Sequence, residues 1–152
     1  MYTVEEFDKE KTKIVKYIVY KKRTEKEVYN KFNNIIEDTL LRDIIEYLKE
    51  NGYINDSEYI EKAIKEYMIL KNMSKKEIEY KLYSKGLSKS TVEEYFNSNK
   101  EELDEYEKNS AKRIISKKIK DMDIQNIKQY LTKKGYSSKS IKEAILELEN
   151  EE

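Results

Sequence analysis

The chain has 152 residues, and 41% of them are charged, against about 25% in an ordinary globular protein. Lys and Arg together number 31 and Asp and Glu number 31, so the formal net charge is zero. The absence of Cys and His excludes disulfides, thiolate chemistry, most transition-metal sites and Ser-His or Cys-His nucleophiles. Three isolated glycines build no phosphate-binding loop, and no pair of carboxylates stands out for acid–base work. The sequence therefore predicts a protein without enzyme activity, cofactor or metal.

The composition also predicts the fold class. Three Gly and no Pro, together with many Lys, Glu, Ile and Leu, favour helix. A high charged fraction and few apolar residues favour an extended all-α array over a compact domain. Intrinsic disorder is the competing interpretation, but Ile, Leu and the 14 Tyr recur with helical spacing. No apolar stretch is long enough to span a membrane and the first residues are acidic, so we expect a soluble cytoplasmic protein.

The first quarter of the chain reads as two helices. An apolar stripe between lysines predicts a helix over roughly 10–22. Thr24-Glu25-Lys26-Glu27 is a capping box, in which each side chain satisfies a free N–H of the first turn. It opens a second, shorter helix, which Asn33-Asn34 ends.

Two further helices follow before residue 72. Asp38 is the expected cap of the first, which ends at Asn51-Gly52 with the glycine in a left-handed conformation. Asn55-Asp56 then caps a helix of about four turns. Its inward stripe is long and regular and consists of Tyr59, Ile60, Ala63, Ile64, Tyr67 and Met68.

The second half of the chain repeats this pattern of helix caps and glycine stops. Ser74–Glu77 is another capping box, and Lys85–Ser88 combines a helix stop with a new cap. A longer helix over roughly 100–120 begins acidic and ends basic, which complements the helix dipole. Asp123 starts the last pair of helices, and the acidic tail at 147–152 is predicted to fray.

The most informative feature is an internal repeat. Ser74–Phe96 superimposes on Asp123–Ile145 without a gap, with an offset of 49 residues that puts Gly86 on Gly135. Thr24 opens a less regular first copy. The pattern predicts stacked three-helix units after a leading segment over 1–23. The units are repeat 1 (24–72), repeat 2 (73–121) and repeat 3 (122–152), of which the last lacks its third helix, and they form an elongated, curved array.

Three motifs in this order resemble the RecX family of bacterial recombination regulators. They are Arg23–Val28, Gly52–Tyr59 and Lys85–Ser88, and the resemblance covers about 11–148. Each motif alone consists mainly of caps and apolar spacing, whereas the three together with the repeat are fairly specific. The zero net charge departs from the many basic members of the family.

The resemblance implies a function. RecX-like proteins modulate the RecA recombinase by binding its filament on single-stranded DNA, lying in the helical groove. They mainly inhibit its ATPase, co-protease and strand-exchange activities in recombination, DNA repair and the SOS response, and they have no catalytic activity of their own. By this resemblance we expect the chain to act as a monomer on the RecA filament, away from membranes.

Two basic clusters are the candidate partner-binding residues. Arg113, Lys117 and Lys120 are spaced to share one helix face, and Lys112 stands beside them. The second cluster is Lys21-Lys22-Arg23 at the end of the first helix. Both have a plainer interpretation, as a solvated face or as favourable charge at a helix C-terminus. Most tyrosines are expected in the core or on general surface, with Tyr106, near the Arg113 stripe, a partial exception.

Two other functions fit the same sequence. One is a helical nucleic-acid-binding protein that acts without RecA, and the other is a helical-repeat scaffold for a different protein. The zero net charge disfavours strong direct DNA binding, so only a weak direct contact is expected. A steep salt dependence on naked DNA separates direct binding from a filament regulator, which needs RecA.

Overall fold

The computed structural model describes residues 1–70 and 72–151, and within them the chain forms nine helices and no strand. The helices are α1 Val4–Tyr20, α2 Glu25–Phe32, α3 Asp38–Glu50, α4 Asp56–Leu70, α5 Lys75–Ser84, α6 Lys89–Ser98, α7 Lys100–Lys118, α8 Ile124–Lys134 and α9 Ser138–Asn150. The predicted all-α fold is confirmed. Among the described helices, none combines the length and the apolar character that crossing a membrane requires.

Most helices begin where the sequence supplies a cap. Thr24 and Ser74 each form a complete capping box with the glutamate three residues later. Ser88, Asp123 and Ser137 each accept a hydrogen bond from a first-turn amide. These side chains satisfy N–H groups that a helix start otherwise leaves without a partner.

Four local predictions are wrong. Helix α1 begins at Val4, not near residue 10, because Thr3 caps it. Helix α3 is capped by Glu37, whereas Asp38 turns to Arg42, with 2.8 Å between carboxylate and Nε. The long helix α7 ends at Lys118 and leaves residue 120 in the following turn. The tail predicted to fray is helical to residue 150, although residue 152 lies outside the described residues.

The buried residues form three clusters along the chain. The first joins α1, α2 and α3, the second joins α4, α5, α6 and the first half of α7, and the third joins the second half of α7 to α8 and α9. The accessible surface is 10060 Å², against about 8,200 Å² for a compact protein of this mass. Three small cores and a large surface are what stacked units produce.

Each long helix packs against the two helices that follow it. Helix α4, assigned by sequence to repeat 1, lies in the second core cluster, and α7 extends from the second cluster into the third. Within the second cluster Ile78 and Leu82 are fully buried as predicted, whereas Phe96 is only half-buried. The boundaries of the three repeats stay a prediction, and we keep their names as labels.

Two contacts of the same design connect the repeats. In joint 1, at the start of α2, the Thr24 hydroxyl donates to the carbonyl of Lys85, 2.7 Å away, directly before Gly86. In joint 2, at the start of α5, the Ser74 hydroxyl donates to the carbonyl of Lys134, also 2.7 Å away, directly before Gly135. In both joints the first helix of one repeat therefore begins on the glycine turn of the next.

Candidate partner-binding surface

Arg113 and Lys117 lie on the exposed side of α7. Their neighbours Ala111, Ile114 and Ile115 face the third core cluster, which leaves the basic side chains in solvent. Arg113 Nε donates to Asn72 Oδ1 over 2.8 Å. Lys117 makes no ion pair within the described part of the chain. The predicted outward direction of these two residues is correct.

The end of this stripe differs from the prediction. Lys120 is exposed in the turn after α7, so it does not continue the helix face of Arg113. Ile119, expected on the apolar side, is half exposed because it caps the helix end. Lys118 places its ammonium 4.2 Å from the ring centroid of Tyr130, a cation–π contact between α7 and α8.

Lys112 serves contacts within the chain. Its ammonium lies 2.7 Å from a carboxylate oxygen of Glu151 and 3.2 Å from one of Glu147. Hydrogen bonds to these two carboxylates raise the pKa of Lys112 above its ordinary value. Its charge therefore fastens α9 to α7 and is less available to a partner than that of Lys117.

Two residues of the second cluster, Lys21-Lys22-Arg23, make contacts within the chain. Lys22 pairs with Glu58 at the start of α4, and hydrogen bonds from Lys22 and Lys62 hold the pKa of Glu58 at about 2. The Arg23 guanidinium lies over the Tyr17 ring, 4.1 Å from the centroid. Of the three residues of this cluster, only Lys21 is exposed and makes no ion pair in the described part of the chain.

The structure does not bring the two predicted clusters together. Lys22 contacts the first turn of α4, whereas Arg113 lines a surface groove together with Met68 and Ile69 in its last turns. A helix of 15 residues is about 22 Å long. One flat contact cannot engage both clusters without also covering α4.

A basic groove that the sequence did not reveal lies between α5 and the α8–α9 turn. It has a volume of about 350 Å³. We call it the α5–α8 groove. It is lined by Met73, Lys76, Glu77, Tyr80, Lys81, Lys133, Lys134 and Gly135.

Positive charge dominates this groove. Four of its lining residues are lysines and one is a glutamate. Glu77 is engaged by the Ser74 amide and by Lys134, whose ammonium lies 3.5 Å from its carboxylate. Lys76 and Lys133 make no ion pair within residues 1–70 and 72–151, so their charge faces solvent in a chain whose net charge is zero.

Two tyrosines accompany these lysines. Tyr80 is 76% exposed in the groove. Tyr130 lies beside the groove, where the ammonium of Lys134 is 5.7 Å from its ring centroid. Tyr106, the expected exception, is instead buried, and its hydroxyl accepts a hydrogen bond from the Met73 amide at 2.9 Å.

Arg113 lines a different groove, between α4 and α7, but is linked to the α5–α8 groove through Asn72. Its partner Asn72 directly precedes Met73, which lines the groove, and Lys118 and Lys134 meet at the Tyr130 ring. These contacts connect the exposed cations of α7 with those of α5 and α8. We call the connected surface the basic face. Its members are Lys76, Tyr80, Arg113, Lys117, Lys118, Tyr130, Lys133 and Lys134.

Comparison with known proteins identifies the family. The chain is 35% identical over 142 residues to regulatory protein RecX of Staphylococcus carnosus, covering 90% of this chain and 53% of that protein. It is 32% identical over 148 residues to RecX of Clostridium botulinum strain Eklund 17B, covering 90% and 66%. The crystal structure of RecX from Lactobacillus salivarius superimposes with a TM-score of 0.83 at 25% identity, over 97% of this chain and 99% of that one. This chain belongs to the RecX family.

The family assignment confirms the resemblance predicted from the motifs. A second RecX crystal structure has the same fold, with a TM-score of 0.78 at 20% identity over 91% of this chain and 72% of that one. No protein-family model matches the chain. The chain spans about half the length of the first staphylococcal RecX proteins that it matches.

The residues that carry the RecX resemblance are structural. Thr24 caps α2 and bonds across joint 1, Gly52 and Gly86 take positive φ of 77° and 86°, and Ser88 caps α6. None of them belongs to the basic face. The motifs therefore report the architecture of the RecX fold, while the surface chemistry depends on other positions.

One buried residue escaped the sequence interpretation. Glu107 belongs to the helix whose start the sequence showed only as acidic, yet it is 0% exposed and accepts hydrogen bonds from Lys75 of α5 and from Ser137, the cap of α9. Its position on the stripe of Leu103, Ala111 and Ile114 is the signal that could have revealed it. A charged residue in an inward position must find partners.

Proposed function

We propose that this chain binds the RecA recombinase filament on single-stranded DNA and lowers its ATPase, co-protease and strand-exchange activities without catalysis of its own. The RecX family relationship supports RecA as the partner. The basic face supports a contact with a polyanionic surface. The partner-binding residues in this proposal are Arg113, Lys117 and Lys120, with Lys21 as a secondary contact.

The proposal rests on a local concentration of positive charge in a chain whose net charge is zero. Equal numbers of acidic and basic residues leave no net attraction to a polyanion at long range. The basic face, in contrast, groups cations of three helices, and the α5–α8 groove within it holds four lysines and a single, engaged glutamate. Its attraction extends over about one Debye length, roughly 8–10 Å in physiological salt. Binding through this face therefore depends on a close fit and weakens as salt rises.

The test is the rate of ATP hydrolysis by RecA on single-stranded DNA during titration with this protein. The variant replaces Arg113, Lys117 and Lys120 by Glu. The side chains are exposed, so each change costs about 0.5 kcal/mol or less, with a small addition for acids near a helix C-terminus. We expect a folded protein with markedly weaker inhibition, and a wild-type effect that falls with added salt.

The matched control replaces Lys9, Lys16 and Lys142 by Glu. These lysines are exposed on α1 and α9, away from the basic face, and the change in net charge is the same. The control should inhibit like wild type. If the Arg113/Lys117/Lys120 variant is folded and inhibits like wild type at low salt, the α7 end of the basic face and the turn that carries Lys120 are only solvated surface.

Direct binding of single-stranded nucleic acid is the second candidate function, and the α5–α8 groove favours it. Lysines that neutralise phosphates beside an exposed aromatic ring are a common arrangement for such strands, and each stacked base contributes about 1–3 kcal/mol. Tyr80 supplies the ring, and Lys76 and Lys133 supply the charge.

Fluorescence anisotropy of a labelled single-stranded oligonucleotide, without RecA, separates the two candidates. Direct binding predicts saturation with a steep salt dependence, and a loss of binding in Tyr80→Ala and in Lys76→Ala/Lys133→Ala. Tyr53→Ala is the control, because Tyr53 is also exposed but lies in the α3–α4 turn. An oligonucleotide whose anisotropy does not change when this protein is added contradicts direct binding and supports the filament regulator.

A further inference from the structure

The two joints share three contacts, which makes their differences informative. Besides the cap hydroxyl, a lysine stem packs on the glycine: a Cβ added to Gly86 would lie 2.6 Å from Lys26 Cβ, and one added to Gly135 would lie 2.8 Å from Lys76 Cβ. The third contact is a carboxylate that accepts the first amide of the helix. It differs between the joints.

In joint 2 this carboxylate belongs to Glu107, in the middle of α7. One oxygen accepts the Lys75 amide at 2.7 Å, and the other accepts the amide and the hydroxyl of Ser137 at 3.1 and 3.0 Å. Glu107 is fully buried. A single side chain therefore connects the starts of α5 and α9 to α7.

In joint 1 the carboxylate belongs to Asp56, at the first position of α4. It accepts the Glu25 amide at 3.0 Å. Ser88, which corresponds to Ser137, bonds only to Ser90 and Thr91 of its own first turn. Within the described part of the chain no side-chain hydrogen bond connects the start of α6 to α4, although Val92 packs in the same core cluster as Ile60. The shorter aspartate, set at a helix end, serves one helix instead of two.

Joint 2 also carries contacts that joint 1 lacks. The hydroxyls of Ser110 and Tyr136 are hydrogen bonded over 2.6 Å in the core, and the residue of joint 1 that corresponds to Tyr136 is Leu87. Lys108 and Lys112 both pair with Glu147, which fastens α9 along α7. No ion pair joins α4 to α6 among the described residues.

Joint 1 has an open cleft at the place where joint 2 has these contacts. A cleft of about 820 Å³ opens where the start of α6 faces α2, α3 and α4. Asp56, Ser88, Thr91 and Gly86 all line it. Rotating α1–α3 against α4–α6 in joint 1 breaks the Glu25–Asp56 hydrogen bond and the Lys22–Glu58 ion pair but divides no core cluster. In joint 2, α7 belongs to both neighbouring clusters, and rotation would leave the buried carboxylate of Glu107 without its donors, which is costly.

We propose that joint 1 is the hinge of this protein and that Asp56, in the place where joint 2 has a glutamate, is the residue that leaves it open. The Thr24–Lys85 hydrogen bond and the Lys26 stem on Gly86 are the pivot. Helices α4 to α9 move as one body against α1 to α3. This property goes beyond the proposed function and does not require RecA.

Pulsed electron–electron double resonance measures the distance between two spin labels and tests the hinge directly. The chain has no native Cys, so labels attach only at introduced cysteines. Cysteines at the exposed positions Thr39 and Glu94 span joint 1, and cysteines at Glu94 and Lys142 span joint 2. We expect a distance distribution about twice as broad across joint 1 as across joint 2. Equal widths, or a broader distribution across joint 2, would overturn the proposal.

Exchanging aspartate and glutamate between the two joints tests whether these residues set the width of each distance distribution. Asp56→Glu should narrow the distribution across joint 1, and Glu107→Asp should broaden the one across joint 2. If neither changes, Asp56 does not set the hinge. Should Glu107→Asp fail to fold by circular dichroism, amide hydrogen exchange of the unchanged protein gives a second measurement. The Ser88 amide, without an acceptor across its joint, should exchange faster than that of Ser137, and equal rates would contradict the proposal.

Discussion

The three glycines provide a graded test of how the repeats are joined. All three adopt positive φ, 77° at Gly52, 86° at Gly86 and 102° at Gly135. A Cβ at Gly52 would meet nothing within 4 Å, whereas one at Gly86 or Gly135 would overlap the stem of a lysine from the neighbouring repeat. Replacing each by Ala separates the cost of the backbone conformation from the cost of opening a joint.

The expected magnitudes follow from these distances. Gly52→Ala should lower the free energy of unfolding by about 1–2 kcal/mol, the cost of a left-handed Ala. Gly86→Ala and Gly135→Ala carry the same cost. They add about 1–3 kcal/mol for overpacking, because the atom in the way is a Cβ, fixed to the backbone of Lys26 or Lys76. A Cβ at Gly135 would also lie 3.0 Å from Ser74 Oγ, the hydroxyl of joint 2, so we expect the largest loss there.

Thermal denaturation followed by circular dichroism measures these differences. In a chain of this length, each 1 kcal/mol corresponds to roughly 2–4 °C in Tm. The Gly86 and Gly135 variants should unfold at clearly lower temperatures than the Gly52 variant. If Gly52→Ala is as damaging as the other two, the close approach of lysine stem and glycine contributes nothing, and the joints are not what holds the repeats together.

Three further predictions address the core and the charges. Leu82→Ala should cost about 2–5 kcal/mol, since Leu82 is fully buried in the second cluster, and denaturant unfolding will measure it. Tyr136→Phe should cost about 1–3 kcal/mol, because it leaves the buried Ser110 hydroxyl without its partner; a change below 0.5 kcal/mol, about the noise of such measurements, would contradict this. The carboxyl of Glu58 should titrate near pH 2 by NMR, and Lys22→Ala should move the midpoint back toward 4.5. Because the folded-state pKa is lowered, the stability from this pair is present above pH 4.5 and is lost as the pH falls toward 2.

The sequence alone determined the features that depend on neighbouring residues. The capping boxes at Thr24 and Ser74 and the left-handed Gly52 were predicted correctly, because a cap or a turn is decided by side chains within about four positions. The periodicity of the apolar residues predicted which side of α7 faces the core and that Lys117 faces solvent. The family resemblance rested on the same local motifs.

Tertiary structure decided everything that depends on residues far apart in the chain. Lys112 and Lys117 look alike in sequence, yet only Lys112 meets a carboxylate of α9 and one directly after its end, both more than 30 positions away. The α5–α8 groove exists because stacking brings Lys76 and Lys133 to one place. Glu107 is buried because two helix starts converge on it. Such contacts arise from the packing of whole helices, which no local pattern specifies, and they determine which charges remain for a partner and which joint can bend.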